Sequence, residues 1–196
     1  MTLHADALSV LTDWEAPDAG QEALRRRYAD HLGAHPDGLT RTCYPDHLTA
    51  STLVMSADGE RVLLTLHAKA RQWFQFGGHC EAGDVTLAGA AQREAIEESG
   101  LGDLVLDPVP VQLSEHAVPF CDPRGGVHHL DVRFLAVAPV DAAHAVSAES
   151  LDVRWWPADD LPDPQPDMTD LVRLARRRLQ STSDSPGGGS SRAAAE

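Results

Sequence analysis

Three glutamates, Glu94, Glu97 and Glu98, lie within five residues of each other in a stretch whose composition predicts a helix. At about 100° per residue, their side chains fall within an arc of about 100° on one helix face. Like charges at this spacing repel, and no lysine is interspersed among them. A bound divalent cation would offset the repulsion, and an all-oxygen ligand set favours Mg²⁺ or Mn²⁺ over Zn²⁺. The alternative is a plain acidic helix face, which is the commoner explanation of an isolated Glu-Glu pair.

The residues before this helix favour the metal site over the plain acidic face. Gly77-Gly78 and Glu81-Ala82-Gly83 predict a tight turn, and glycine lets backbone groups approach an ion and its ligand closely. The helix should begin after Thr86, a good N-cap, and end at Gly100, a good C-cap. We therefore predict a metal site where the glycine turn meets the helix.

The same stretch resembles the Nudix hydrolase box. That pattern is G, five residues, E, seven residues, then R-E-U-x-E-E-x-G-U, where U is a bulky aliphatic residue. Gly78 fills the first position, and the second half is filled in register by Arg93, Glu94, Glu97, Glu98, Gly100 and Leu101. The resemblance covers roughly residues 46–161.

The box departs from the family pattern at two positions. The acidic residue in the first half is Asp84, and eight residues rather than seven separate it from Arg93. Ala95 stands where a larger aliphatic residue is usual. We place the added residue in the turn ahead of the helix, because this leaves the register from Arg93 onward intact and bears only on the role of Asp84.

The resemblance implies a fold, an activity and a set of site residues. The fold is a Nudix-type α/β/α sandwich with a mixed β-sheet. The activity is metal-dependent hydrolysis of a nucleoside diphosphate linked to another moiety, so the partner is a small nucleotide or diphosphate. Mg²⁺ or Mn²⁺ would be held by the box glutamates and the Gly78 carbonyl, with Arg93 orienting the cluster by a salt bridge. The candidates for a further ligand or the general base are Glu81 and Glu149.

Residues beside the box are candidates for substrate binding. The glycine turn contributes Gly77 and Gly78, and His79 within it could meet a phosphate, carry a proton near neutral pH or simply cap the turn. Lys69 and Arg71, just upstream, could reach a phosphate or pair with surface carboxylates.

Two other functions remain open for the same fold. An isoprenoid diphosphate isomerase would use a cysteine and a glutamate together, which makes Cys80 and Glu81 relevant, but the intact Glu97-Glu98 pair fits hydrolysis better. A nucleotide-sensing module would bind without turnover and would have less need of a complete carboxylate set.

A zinc site is a further possibility that the sequence disfavours. The residues that could contribute are His67, His79, Cys80, His116, Cys121, His128 and His129. None of them forms a short ligand pair of a recognised kind. His128 and His129 should point to opposite faces of a strand, so at most one of them enters a cleft.

Composition narrows the partners and the compartment. The net charge is −14, from 16 basic and 30 acidic residues, so binding to a nucleic-acid polymer is disfavoured. Three widely spaced cysteines predict no disulfide framework and favour a reducing cytoplasm. The first residues lack the features of a signal peptide, and no apolar stretch approaches the ~20 residues of a membrane span. We expect a cytoplasmic protein with no membrane partner.

The remaining chain divides into three parts. We predict an N-terminal helical extension (1–45), a Nudix hydrolase domain (46–180) and a disordered tail (181–196). The extension should hold helices at 3–14 and 21–32, the second stopped by Gly33. These helices should pack on the core, although a role in the pocket or in a homodimer is open. The domain should hold strands at 47–56, 61–67, 104–113 and 127–137, a strand and short helix within 146–161, and a helix at 167–180.

Overall fold

The computed structural model describes residues 1–147, 150–162 and 165–183. Within these residues the helices are α1 (Leu3–Asp13), α2 (Ala19–Ala34), α3 (Leu87–Ser99) and α4 (Pro166–Ser183). The strands are β1 (Asp46–Met55), β2 (Arg61–His67), β3 (Trp73–Phe74), β4 (Phe76–His79), β5 (Val105–Ala117), β6 (His128–Val137) and β7 (Ser150–Pro157). No helix among the described residues is both long and apolar enough to cross a bilayer.

The strands of the described chain form one mixed sheet in the order β3-β2-β1-β6-β5. Strand β4 pairs with β1, and β7 pairs with β2. The long β1–β6 pair is parallel and the other pairs are antiparallel. β1 therefore lies at the centre, which explains why nearly all of its residues are buried.

Alternation along β1 assigns the helices to two faces of the sheet. Leu48 and Ala50 pack in a cluster with residues of α1, α2 and α3, whereas Leu53 and Met55 pack with residues of α4. Because successive side chains of a strand point to opposite faces, α4 covers the face opposite to the other three helices. The predicted α/β/α sandwich with a mixed sheet is confirmed.

The N-terminal helices pack on the domain core. Leu11, Tyr28 and Leu32 are buried in the cluster beneath α3. The Gln21 side-chain amide donates to the Leu113 carbonyl at 2.9 Å and accepts the Leu113 N–H, so α2 is fixed to β5. The Asp6 carboxylate accepts the Leu87 N–H at 2.8 Å, at the first turn of α3. The extension thus stabilises the helix that carries the three glutamates.

Two helix boundaries of the extension differ from the prediction. α2 begins at Ala19 because the Asp18 side chain caps it by accepting the Gln21 N–H. It runs through Gly33, where the sequence predicts a stop, and its C-cap is His35. His35 precedes a proline, which disfavours helical geometry at that residue, so the proline, and not the glycine, ends the helix.

Differences also occur near the C-terminus. The short helix predicted after β7 is wrong, because residues 158–162 contain a turn and bends but no helix, and the proline at 162 disfavours helix before it. α4 continues to Ser183, three residues into the predicted tail, and residues 184–196 lie outside the described residues. Two arginines anchor α4 to the rest of the domain: Arg176 pairs with Asp159, and Arg178 pairs with Asp107.

Candidate active site

The acidic helix α3 begins and ends where the sequence predicts. The Thr86 hydroxyl accepts the Gly89 N–H at 3.0 Å, which satisfies one of the free amides of the first turn. Gly100 closes the helix in the left-handed conformation, with φ of 72°, where glycine has no steric penalty. Ala95 is buried with Val54 and Phe76, so large neighbours fill the space that the family pattern gives to a larger aliphatic residue.

Arg93 lies at the centre of a web of hydrogen bonds that joins the helix to the glycine turn. One terminal nitrogen, Nη1, donates to Glu94 at 3.0 Å and to Glu97 at 3.1 Å. The other, Nη2, donates to the His79 carbonyl at 3.1 Å. The guanidinium thus holds two of the three glutamates and the end of β4 in fixed relation.

Asp84 completes this web despite the shifted spacing. Its two carboxylate oxygens accept from Arg93 Nε at 3.1 Å and Arg93 Nη2 at 3.0 Å, and it also accepts the Glu81 N–H at 2.7 Å. Burial alone would raise the pKa of the Asp84 carboxyl, but Arg93 and this backbone N–H hold it below its ordinary value. The Asp84 side chain therefore reaches Arg93 although eight residues separate the two in the sequence.

The glycine turn packs directly against the helix carboxylates. A Cβ atom on Gly78 would meet the Glu94 carboxylate at 2.8 Å, and one on Gly77 would meet Ser51 Cβ at 2.3 Å. The contact at Gly77 is too close for any side chain, so β4 needs glycine there to pair closely with β1, and a side chain at Gly78 would displace the Glu94 carboxylate. The side chain of Glu94 is only 15 % exposed. Burial, with Glu97 and Glu81 nearby, raises the pKa of its carboxyl, although Arg93 acts in the opposite direction.

The three glutamates line one cavity of about 550 Å³ together with Gly77, Gly78 and Glu81. Glu97 is the most open of them, with its side chain 59 % exposed, and one oxygen of Glu98 is shielded from solvent. The donor set is entirely oxygen and strongly acidic, which suits a hard divalent cation. Burial and neighbouring negative charges destabilise the ionised form of Glu94, and a bound cation would stabilise that form. The residues present therefore fit Mg²⁺ or Mn²⁺.

The other predicted site residues are distributed unevenly. Lys69 and His79 line the cavity of the glutamates. The ring of His79 also lies beside a second histidine, with its Nε2 3.1 Å from Nε2 of His47. Arg71 is exposed and lines neither this cavity nor its larger neighbour. The candidate Glu149 lies outside the described residues.

A larger neighbouring cavity, of about 690 Å³, has a polar floor. It shares Gly77, Gly78 and Glu98 with the first cavity, so the two form one cleft. Asp131 and Arg133 of β6 lie in this floor, with their side chains 4 % exposed and paired at 3.0 Å.

The floor is held by hydrogen bonds from neighbouring strands. The Asp131 carboxylate accepts from the hydroxyls of Thr49 and Ser51 and from the Gln75 amide, and Arg133 also pairs with Asp167 at 3.0 Å. Sequence reasoning missed Thr49, Ser51 and Gln75. The available signal was a run of hydroxyl residues in a strand that is otherwise apolar.

Some of the zinc-site candidates do come together, with one residue that the sequence analysis omitted. His79, Cys121 and His129 converge with His47, and one ligand atom from each lies within 4.8 Å of the others. Burial lowers the pKa of His79 to about 4 and that of His129 to about 3, so the imidazoles are neutral at physiological pH. The other candidates, His67, Cys80, His116 and His128, are outside this group of four.

Comparison with known proteins agrees with this fold. The NUDIX domain family matches residues 45–178, and the chain belongs to that family. No curated protein matches the sequence.

Solved structures share the fold at low sequence identity. A NUDIX family hydrolase from Clostridium perfringens is 23 % identical, with a TM-score of 0.53 over 69 % of this chain and 97 % of its own. A C. elegans Ap4A hydrolase is 19 % identical, with a TM-score of 0.58 over 68 % and 98 % of the two chains. The NUDIX domain of Shewanella oneidensis NrtR, complexed with ADP ribose, is 22 % identical, with a TM-score of 0.55 over 77 % and 97 %.

Proposed function

We propose that this NUDIX family protein is a hydrolase that cleaves the phosphoanhydride of a nucleoside diphosphate linked to another moiety, with Mg²⁺ or Mn²⁺ as its cofactor. One observation carries the proposal: the carboxylates of Glu94, Glu97 and Glu98 line a single cavity with the Gly77-Gly78 backbone. A helix face that was merely solvated would need neither the glycine contact at Glu94 nor the arginine web around it.

The metal would be held by Glu94, Glu97, Glu98 and the Gly78 carbonyl. When bound, a divalent ion at such a site neutralises charge on the phosphate oxygens and lowers the pKa of a coordinated water. Arg93 acts as a positioning residue, because its guanidinium fixes Glu94 and Glu97 relative to the turn. Glu81 also lines this cavity. Of the two candidates for the general base or a further ligand, it is the one that lies within the residues that the structure describes.

The two cavities suggest how a substrate would lie. Its diphosphate would occupy the cavity of the glutamates, which Lys69 and Arg41 also line and to which they supply positive charge. The nucleoside or the second moiety would occupy the larger cavity, which Phe74 and Phe120 line above the polar floor. Aromatic rings there offer a stacking surface for a base.

The isomerase alternative is poorly matched by Cys80. Burial raises the pKa of this thiol to about 12, and Cys80 packs against the apolar cluster beneath α3. A thiol in such surroundings is a weak nucleophile and holds its proton tightly. The sensor alternative keeps one point in its favour, since the NrtR domain that shares this fold is complexed with ADP ribose.

A substrate panel separates hydrolysis from sensing. Nucleoside triphosphates, a dinucleoside tetraphosphate, ADP-ribose and a nucleotide sugar are incubated with the protein and Mg²⁺ or Mn²⁺, and the products are resolved by chromatography. We expect hydrolysis of at least one compound, loss of activity with EDTA, and a kcat about 100-fold lower for Glu97→Gln. Glu60→Gln, an exposed glutamate in the β1–β2 turn, is the matched control. Binding by calorimetry with no turnover of any compound would support a sensor instead.

A further inference from the structure

Three histidines and one cysteine meet at the edge of the cleft, and two of them, His79 and Cys121, line the cavity of the glutamates. His47 is on β1, His79 is at the end of β4, His129 is on β6, and Cys121 is in the segment between β5 and β6. The strand register explains the meeting. His47 lies directly opposite His129 in the parallel β1–β6 pair, and His79 lies opposite Thr49, two residues along β1. Side chains two residues apart on a strand share a face.

Four distances among the ligand atoms are close to those of a tetrahedral site, and all the ligand atoms lie within 4.8 Å of one another. Nε2 of His79 is 3.1 Å from Nε2 of His47. Cys121 Sγ is 3.4 Å from His129 Nε2, 3.5 Å from His79 Nε2 and 3.8 Å from His47 Nε2. Zinc bonds of ordinary length in tetrahedral geometry would separate two nitrogens by about 3.3 Å and a nitrogen from a sulfur by about 3.6 Å. The three sulfur–nitrogen separations bracket the second value, and the nitrogen–nitrogen separation of 3.1 Å is slightly below the first.

The orientation of His47 is also that of a metal ligand. Its Nδ1 lies 3.1 Å from the Cys43 carbonyl, which can only accept a hydrogen bond, so Nδ1 carries the proton. Nε2 of His47 therefore presents a lone pair to the other three residues. Histidines that bind metals commonly donate their second nitrogen to a carbonyl or carboxylate in this way.

We propose that His47, His79, Cys121 and His129 form a zinc site of the His₃Cys type. The nitrogen and sulfur donors distinguish it from the oxygen donors of the Glu94–Glu98 group, which favour Mg²⁺ or Mn²⁺. Four protein ligands complete the tetrahedron, so the site is structural rather than catalytic. On binding, the Cys121 thiol loses its proton to solvent, and the zinc ion takes the place of the hydrogen bonds among these side chains.

The site would hold one wall of the substrate cleft. Cys121 belongs to the segment between β5 and β6, in which Val118 and Phe120 line both cavities. The three histidines belong to strands of the sheet. A zinc ion would therefore tie this segment to the sheet and fix the position of Phe120 beside the bound substrate.

The metal content of the purified chain tests the proposal independently of the hydrolase activity. Protein expressed with added zinc and purified without chelator should contain about one zinc ion per chain by mass spectrometry. Cys121→Ser and His129→Asn should lower this to less than about one tenth. Cys80→Ser and His128→Asn are matched controls and should retain the zinc, because these residues neighbour ligands in sequence but lie outside the cluster.

Cobalt substitution keeps the test decisive if a variant fails to fold. Wild-type protein stripped of metal and titrated with Co²⁺ should show a thiolate-to-cobalt charge-transfer band and the strong visible absorption of a tetrahedral ion. The proposal would be overturned if the purified protein contained no zinc and gave no thiolate band with Co²⁺. The four side chains would then form only a hydrogen-bonded cluster. Zinc retained equally by Cys121→Ser and His129→Asn would also overturn it, because the ion would then be bound elsewhere.

Discussion

Replacing Asp84 by asparagine tests whether this residue, despite its shifted spacing in the box, is needed to position Arg93. The substitution keeps the shape of the side chain and removes its charge. Asp84 is 7 % exposed and accepts two hydrogen bonds from Arg93 and one from the backbone of Glu81. Arg93 retains Glu94 and Glu97 as partners and is partly open to solvent, so its charge is not left wholly unpaired.

The structure sets the magnitude of the expected loss. Hydrogen bonds to charged groups contribute about 1.5–3 kcal/mol, and we expect about 2 kcal/mol for Asp84→Asn because the remaining partners compensate in part. For a chain of this length, the change corresponds to a fall in Tm of about 4–8 °C. Loosening the arginine should also disorder the glutamates that it holds, and kcat should fall about 10-fold or more.

The pH dependence provides a second signature of the same carboxylate. Its pKa is lower in the folded chain than the ordinary value of 3.8, so its stabilising contribution is complete above pH 3.8 and is lost as the pH falls through the folded value. The difference in free energy of unfolding between wild type and Asp84→Asn should therefore be constant near neutral pH and shrink below pH 3.8.

Urea denaturation and steady-state kinetics measure these effects, with Asp103→Asn, an exposed aspartate after α3, as the control. Wild-type stability and kcat in Asp84→Asn would refute the reasoning, because Arg93 would then be positioned without Asp84.

Three further substitutions test other parts of the site. Gly78→Ala places a methyl group 2.8 Å from the carboxylate above it and should lower kcat at least about 10-fold, whereas Gly83→Ala, with no atom within 4 Å of the added carbon, should leave it unchanged. Asp131→Asn breaks a buried ion pair and should lower the free energy of unfolding by about 3 kcal/mol, measured by urea denaturation. A loss below about 0.5 kcal/mol would contradict the importance of the polar floor. Asp6→Ala removes the hydrogen bond by which the N-terminal extension caps α3 and should lower the free energy of unfolding by about 1 kcal/mol in the same assay. An unchanged urea midpoint would show that this contact does not contribute to stability.

Local chemistry explains what the sequence predicted well. Helix α3 begins after Thr86 and ends at Gly100 as predicted, because capping depends on residues within one turn of the helix end. The strand at 61–67 is correct to the residue, since a continuous apolar run after an Asp-Gly turn has few other solutions. The clustering of the glutamates on one face likewise follows from helix geometry alone.

Long-range pairing explains what the sequence did not predict. His47 and His129 are 82 positions apart and meet only because β1 and β6 are parallel neighbours. Similarly, Thr49 and Ser51 become part of the polar floor only because β6 places Asp131 beside them. Neither pairing leaves a short spacing in the sequence.

The central claim is that the carboxylates of α3 hold a divalent ion beside the glycine turn. The most direct test is a Mn²⁺ titration of the wild type and Glu98→Gln, followed by electron paramagnetic resonance in the absence of nucleotide, with Glu60→Gln as the control. We expect the wild type and Glu60→Gln to bind Mn²⁺ alike and Glu98→Gln to bind it at least about 10-fold more weakly. Equal affinity in all three proteins would contradict the claim.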